Sequence, residues 1–200
     1  MRARAPTAAL LPLAAEGDAD IDVHAALYDA WGPTVLRWCT RLGGPRVPAE
    51  DAAQDVFERV LGRLHTVRSM DAFPAWLFQT TRRVVRDHLR RAWLRRWVPG
   101  FVLDVPDPAD DPRRHAERSE TTERVQDALD ALPAALREVI VLSEIEERDG
   151  PEVAALLGVP LGTVKSRLRR GREAFAREAR ARGLAPDGEP EVASDLWEGA

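Results

Sequence analysis

The chain has 200 residues, 44% of them apolar and 31% charged, with a formal net charge of −4. That length accommodates one medium or two small domains, and no apolar run approaches the length of a membrane span. Cys39 is the only cysteine and the four histidines show no metal-ligand spacing, which excludes an intramolecular disulfide and a multi-cysteine zinc site.

Aromatic residues make up only 6%, and Ala, Arg, Leu and Glu dominate, so helices are favoured over strands. Residues 1–20 begin basic, turn apolar and end small, as a signal peptide does, but the apolar part is short and broken by Pro12. They are predicted to be a flexible leader. From residue 21 to 97 the pattern is helical. Leu27, Trp31, Val35, Trp38 and Leu42 recur at spacings of three and four, and Pro33 is expected to kink that helix or divide it. "GGPRVP" breaks the chain. "AEDAAQDVFERVLGRL" restarts it with Val56, Phe57, Val60, Leu61 and Leu64 inward, and "HTVRSMD" is a loop. A third helix, "AFPAWLFQTTRRVVRDHLRRAWLRRW", is apolar early and basic late.

Residues 98–119 hold four prolines and four aspartates without periodicity and are predicted to be a linker. A second domain follows over 120–182. Val125, Leu129 and Leu132 line its first helix, Pro133 opens the next, and "GPEVAALLG" is a short helix ending at Gly158. The last stretch, 183–200, is acidic and is predicted to be disordered. The expected fold is all-α: two small helical domains joined by a flexible linker.

The chemistry is concentrated in "LLGVPLGTVKSRLRRGREAF". A short apolar helix, a glycine-containing turn and a basic helix form a helix-turn-helix pattern. Gly158 suits the left-handed conformation after a helix, Val159 can turn back into the core, and Pro160 forbids continuation. Thr163 is expected to cap the second helix. Val164, Leu168, Gly171 and Phe175 make its inward stripe; Lys165, Arg169 and Arg172 make a cationic one, with Ser166 and Arg170 beside it. A solvated bundle face or a membrane-surface helix could also be basic. One inward and one cationic face is what a major-groove helix needs.

Charge is segregated elsewhere too. Residues 82–97 carry seven arginines against Asp87 alone, while 50–58 hold Glu50, Asp51, Asp55 and Glu58 with no basic residue. Separate basic and acidic surfaces point to an anionic partner and a basic one.

These segments resemble a known family. The "LP…REV…L" helix, "EVAALLGVP" and "GTVKSRLRRGRE" are similar to region 4 of the extracytoplasmic-function sigma factors of bacterial RNA polymerase. "AEDAAQDVFERVL" resembles their region 2.2, and "AFPAWLFQTTRRVVRDHLRR" their regions 2.3 and 2.4. The likeness spans residues 25–180. It departs from the family at the "ERDGP" entry to the short helix, at Gly171 where alanine is common, at Arg82 where a smaller polar residue is usual, and at Thr80–Thr81.

The resemblance implies a region 2-like bundle, a region 4-like helix-turn-helix and a transcription initiation factor. Thr163, Lys165, Ser166, Arg167, Arg169, Arg170 and Arg172 would meet the duplex −35 element, with Arg167 and Arg172 on phosphates. Arg68, Ser69, Met70 and Asp71, in the loop that holds a flipped base, and Arg82, Arg83, Arg86 and Arg90 would meet the melted −10 strand. Asp51, Gln54, Asp55 and Glu58, one helical face by spacing, would dock with Phe57 on the polymerase clamp coiled-coil. Implied partners are core RNA polymerase (clamp and flap), promoter DNA and an anti-sigma factor, in the cytoplasm, with no membrane insertion. No catalytic constellation, metal set or cofactor motif appears. The alternative is a stand-alone helix-turn-helix regulator with 21–97 as a sensing or dimerising domain.

Overall fold

The computed structural model describes residues 20–67, 69–97 and 120–184. The expected leader, linker and acidic tail lie outside them, apart from a residue or two at their edges. Seven α-helices and no strand occur among the described residues: α1 (Asp20–Gly43), α2 (Ala49–Leu61), α3 (Phe73–Trp97), α4 (Glu120–Asp130), α5 (Ala134–Ile140), α6 (Gly150–Leu157) and α7 (Leu161–Ala181). Short 3₁₀ turns at Gly44–Arg46, Leu64–Thr66 and Met70–Ala72 join the first three.

α1, α2 and α3 pack pairwise into a bundle. The period-3.6 residues are its core: Leu27, Trp31, Val35, Trp38 and Leu42 from α1 and Val56, Phe57 and Val60 from α2 are all buried. Trp38 meets Phe78 edge-on at 5.0 Å, and Trp31 meets Phe73 at 5.7 Å, geometries that aromatic quadrupoles favour. Thr80 and Thr81 are buried on α3, where each hydroxyl donates to the carbonyl four residues back, on Trp76 and Leu77. That removes the penalty of burying a hydroxyl. α1 runs through Pro33 without dividing. The division does not occur, as the buried residues on both sides of Pro33 hold one continuous face against α2 and α3.

In the second half α4, α5 and α6 each pack on α7. α5 continues into a π-helical turn, Val141–Ile145. Asp149 caps α6 reciprocally: its carboxylate accepts the Glu152 N–H at 2.8 Å, and the Glu152 carboxylate accepts the Asp149 N–H at 3.3 Å. The unusual "ERDGP" entry therefore works as a capping box. Gly158 ends α6 at φ 66°, as its position predicts. α7 is preceded by Pro160, with no side-chain cap, so Thr163 lies within its first turn and does not cap it. Pro160 starts the helix instead, because its carbonyl already accepts the Thr163 and Val164 N–H groups.

Gly171 is buried where α7 crosses α5. A β-carbon there would lie 2.9 Å from Ile140 Cγ1 and 3.2 Å from Cδ1. The glycine permits the close approach, which explains its place in mid-helix. Gly171→Ala is expected to lose about 1 kcal/mol net in a denaturant titration. Overpacking costs roughly 1–3 kcal/mol and exceeds the roughly 0.5–1 kcal/mol gained in helix propensity. A stabilised variant would contradict the packing.

The two halves share one core. Leu129, Leu132, Val139, Ile140, Leu156 and Leu168 belong to the same buried cluster as the α1–α3 residues. A polar seam surrounds it. Gln79 Nε2 donates to the Leu156 carbonyl at 2.7 Å, Arg37 pairs with Glu146 at 3.1 Å, and Arg82 pairs with Glu138. Arg137 donates to the carbonyl oxygens of Leu42 and Asp130 at 2.9 and 2.7 Å, and its guanidinium is 3.2 Å from the Asp130 carboxylate. Burial raises the Asp130 carboxyl above its ordinary value, against the pull of Arg137, and burial lowers the Arg137 guanidinium, against Asp130. Gly44, at φ 62°, sits against Asp130 where a β-carbon would be 2.1 Å from Oδ2.

Candidate nucleic-acid and polymerase interfaces

α6, the Gly158 turn and α7 form the helix-turn-helix. Val164 and Leu168 are buried, Phe175 is half-buried, and Val159 packs back against the core. This fixes the rotation of α7 and leaves Lys165, Ser166, Arg169 and Arg170 exposed together. Thr163, Arg167 and Arg172 are half-buried at the edges. Two cations are steered by carboxylates: Arg169 pairs with Glu173 at 2.7 Å within the helix, and Arg172 reaches Glu144 of the π turn at 2.8 Å. The Arg170 Nε donates to the Ser166 carbonyl, and the Ser166 hydroxyl donates to that of Thr163. Leu161, 38% exposed at the head of α7, was not singled out from the sequence. Its signal is an apolar residue off the inward stripe, at the end of the helix that enters a groove first. An apolar side chain there can contact a thymine methyl.

α3 carries the second cationic surface, and its arginines divide. Arg83, Arg86 and Arg90 are exposed. Arg82 is half-buried and points into the seam, where Glu138, 4% exposed, takes its charge. Arg91 is 3.8 Å from Asp55, and Asp87 pairs with Arg59 at 3.1 Å. Thus Arg82 is separated from the three arginines grouped with it by sequence. In the loop before α3, Ser69 and Asp71 are exposed, and the Asp71 N–H donates to Ser69 Oγ at 3.3 Å. Met70 opens the 3₁₀ turn; Arg68 lies outside the described residues.

The acidic face of α2 is narrower than its spacing suggests. Asp51, Gln54 and Glu58 are exposed, and Gln54 Nε2 donates to Glu58 Oε1 at 3.0 Å. Asp55 turns toward α3, where His88 Nε2 lies at 2.9 Å. Phe57 is 8% exposed, with its ring 5.2 Å from that of Tyr28, so it serves the core; Tyr28, 61% exposed, is the aromatic on the surface there.

Among the described residues no cluster of three or more His, Cys, Asp or Glu could hold a metal ion, and no helix is long and apolar enough to cross a membrane. Burial pushes the Cys39 thiol up to about 12, which keeps it protonated and unreactive at neutral pH.

The sequence matches Sigma-70 region 2 over residues 27–95 and Sigma-70 region 4 over residues 122–175. It is 36% identical to the ECF RNA polymerase sigma factor SigE of Mycolicibacterium smegmatis over 70% of this chain and 54% of that protein. It is 32% identical to the ECF RNA polymerase sigma factor RpoE of Cereibacter sphaeroides over 75% of this chain and 82% of that one. The fold is similar to that of the sigma factor RpoE solved with the anti-sigma factor NepR from Bartonella quintana, with a TM-score of 0.56 and 24% identity over 74% of this chain and 91% of that one. Both regions occur in order on a helical scaffold that presents basic and acidic faces apart, and the chain belongs to the sigma-70 family of RNA polymerase sigma factors, in its extracytoplasmic-function subfamily, whose members direct the polymerase to promoters as transcription initiation factors.

Proposed function

We propose that residues 120–182 read the −35 element as duplex through α7, that residues 21–97 hold the melted −10 strand along α3 and the 67–71 loop, and that Asp51, Gln54 and Glu58 dock on a basic surface of core polymerase. The protein supplies promoter choice in the cytoplasm, and the polymerase does the chemistry. An anti-sigma partner, like the one bound to the Bartonella RpoE, restrains it.

The observation that carries this reading is the separation of charge. An exposed acidic face on α2 is distinct from the exposed cations of α3 and α7. A stand-alone duplex binder uses only the last of these. The test is run-off transcription with core polymerase on genomic fragments: specific transcripts that require the chain support the proposal. Tight operator binding by the chain alone, with no effect on polymerase, refutes it.

The two restrained arginines of α7 separate base reading from positioning. Arg169→Ala is expected to alter preference at one base pair by about 1–3 kcal/mol. Arg172→Ala should weaken binding evenly across sequences and flatten the salt slope by about one. Equal losses from both on every promoter would overturn these assignments.

A further inference from the structure

Arg83, Arg86, Arg90 and Trp93 stand at i, i+3, i+7 and i+10 of α3. At 100° per residue they fall within an arc of about 80°, and the stripe is about 15 Å long. All four are exposed. On the same helix Arg82 pairs with Glu138 and Arg91 lies near Asp55. Arg83, Arg86 and Arg90 form no ion pair with another described residue. Trp93 is 59% exposed, whereas Trp31 and Trp38 are 4% and 1% exposed in the core. The fold therefore does not use the Trp93 indole for packing.

We infer that Trp93 is a stacking platform for one unpaired base of a DNA strand whose phosphates run along Arg83, Arg86 and Arg90. A linear row of cations ending in an exposed aromatic face matches an anionic polymer with planar rings that are free to stack. Duplex DNA keeps its base faces inside the stack and has no use for the indole. A membrane surface would call for further apolar groups on the stripe, and the residues that share it with Trp93 are arginines. The site lies about 30 Å along α3 from its first residue, so the base on Trp93 is several nucleotides from one held at the 67–71 loop. This inference rests on the −10 strand reading and extends it by one contact.

The experiment uses holoenzyme reconstituted with core polymerase on a pre-melted promoter, with abasic sites placed one at a time along the exposed strand. Trp93→Ala is expected to weaken binding about five- to hundredfold with the salt slope unchanged, while Trp93→Phe keeps most of the affinity. One abasic position should cost the native protein a similar factor and cost Trp93→Ala nothing further. Trp93→Ala binding as the native protein does, binding more tightly, or losing affinity without coupling to any single base would each overturn the inference. Arg83→Ala, Arg86→Ala and Arg90→Ala separate the two levels. If all three leave affinity and salt slope unaltered, the strand reading itself fails. If they weaken binding while Trp93→Ala is silent, only the platform fails.

Discussion

Gly44→Ala is expected to lower stability by about 3–5 kcal/mol, a large share of the roughly 5–15 kcal/mol that a folded domain has. Two effects combine. The backbone at φ 62° costs an alanine about 1–2 kcal/mol. The new methyl would also meet the Asp130 carboxylate at 2.1 Å. That carboxylate cannot simply retreat, because Gln126 donates to it at 3.1 Å and Arg137 stands 3.2 Å away. Displacing it weakens the counter-charge of a guanidinium that is only 13% exposed; the pair is partly open to solvent, so the cost is about 2–3 kcal/mol, below the roughly 3–5 kcal/mol of a fully buried pair. Denaturant titration of Gly44→Ala, Asp130→Ala and the double variant checks this. In the Asp130→Ala background the glycine change should retain only its backbone share, about 1–2 kcal/mol. A loss below about 1 kcal/mol in the native background would show that the contact is not maintained in solution.

Asp51→Arg combined with Glu58→Arg is expected to abolish co-purification with core polymerase while leaving the thermal midpoint in place. Both residues are exposed on α2, so neither change disturbs packing. Against a basic partner, each reversal turns attraction into like-charge contact, which costs several kcal/mol and lowers affinity more than a hundredfold. Asp55→Arg should behave differently and lower the midpoint itself. It would place a cation beside His88 and Arg91, which now lie 2.9 and 3.8 Å from the carboxylate. Normal polymerase capture by the double variant would remove the acidic face from the interface.

Local chemistry made much of this legible in the sequence. Gly158 and Pro160 each act within a few residues of themselves, so the helix-turn-helix follows from their order; Thr163 does not cap α7 because the helix already starts at Pro160. The aromatic and aliphatic stripes of α1 and α2 follow from helical period. Long-range contacts were illegible for the corresponding reason. Glu138 reads as a surface residue one position after Arg137, and only the approach of α3 buries it against Arg82. Asp55 shares a face with Asp51 by spacing, but a helix is round and α3 claims one flank of that face. Pro33 does not divide α1, since packing on both sides of it keeps one helix. Gly171 stands where alanine is common in the family, and only the crossing of α5 shows that the departure is a fit.

The shared core also sets a length. A body of the described size has a radius of gyration of about 15 Å and is roughly 40 Å across. On the reading proposed above, the two promoter elements lie roughly 25 base pairs apart, about 85 Å at 3.4 Å per step. The closed body is too short to touch both ends of that ruler. Occupying a whole promoter therefore requires the Arg82–Glu138, Arg37–Glu146 and Gln79–Leu156 contacts to part, and the joint affinity for the two elements is reduced by the equilibrium constant of that opening.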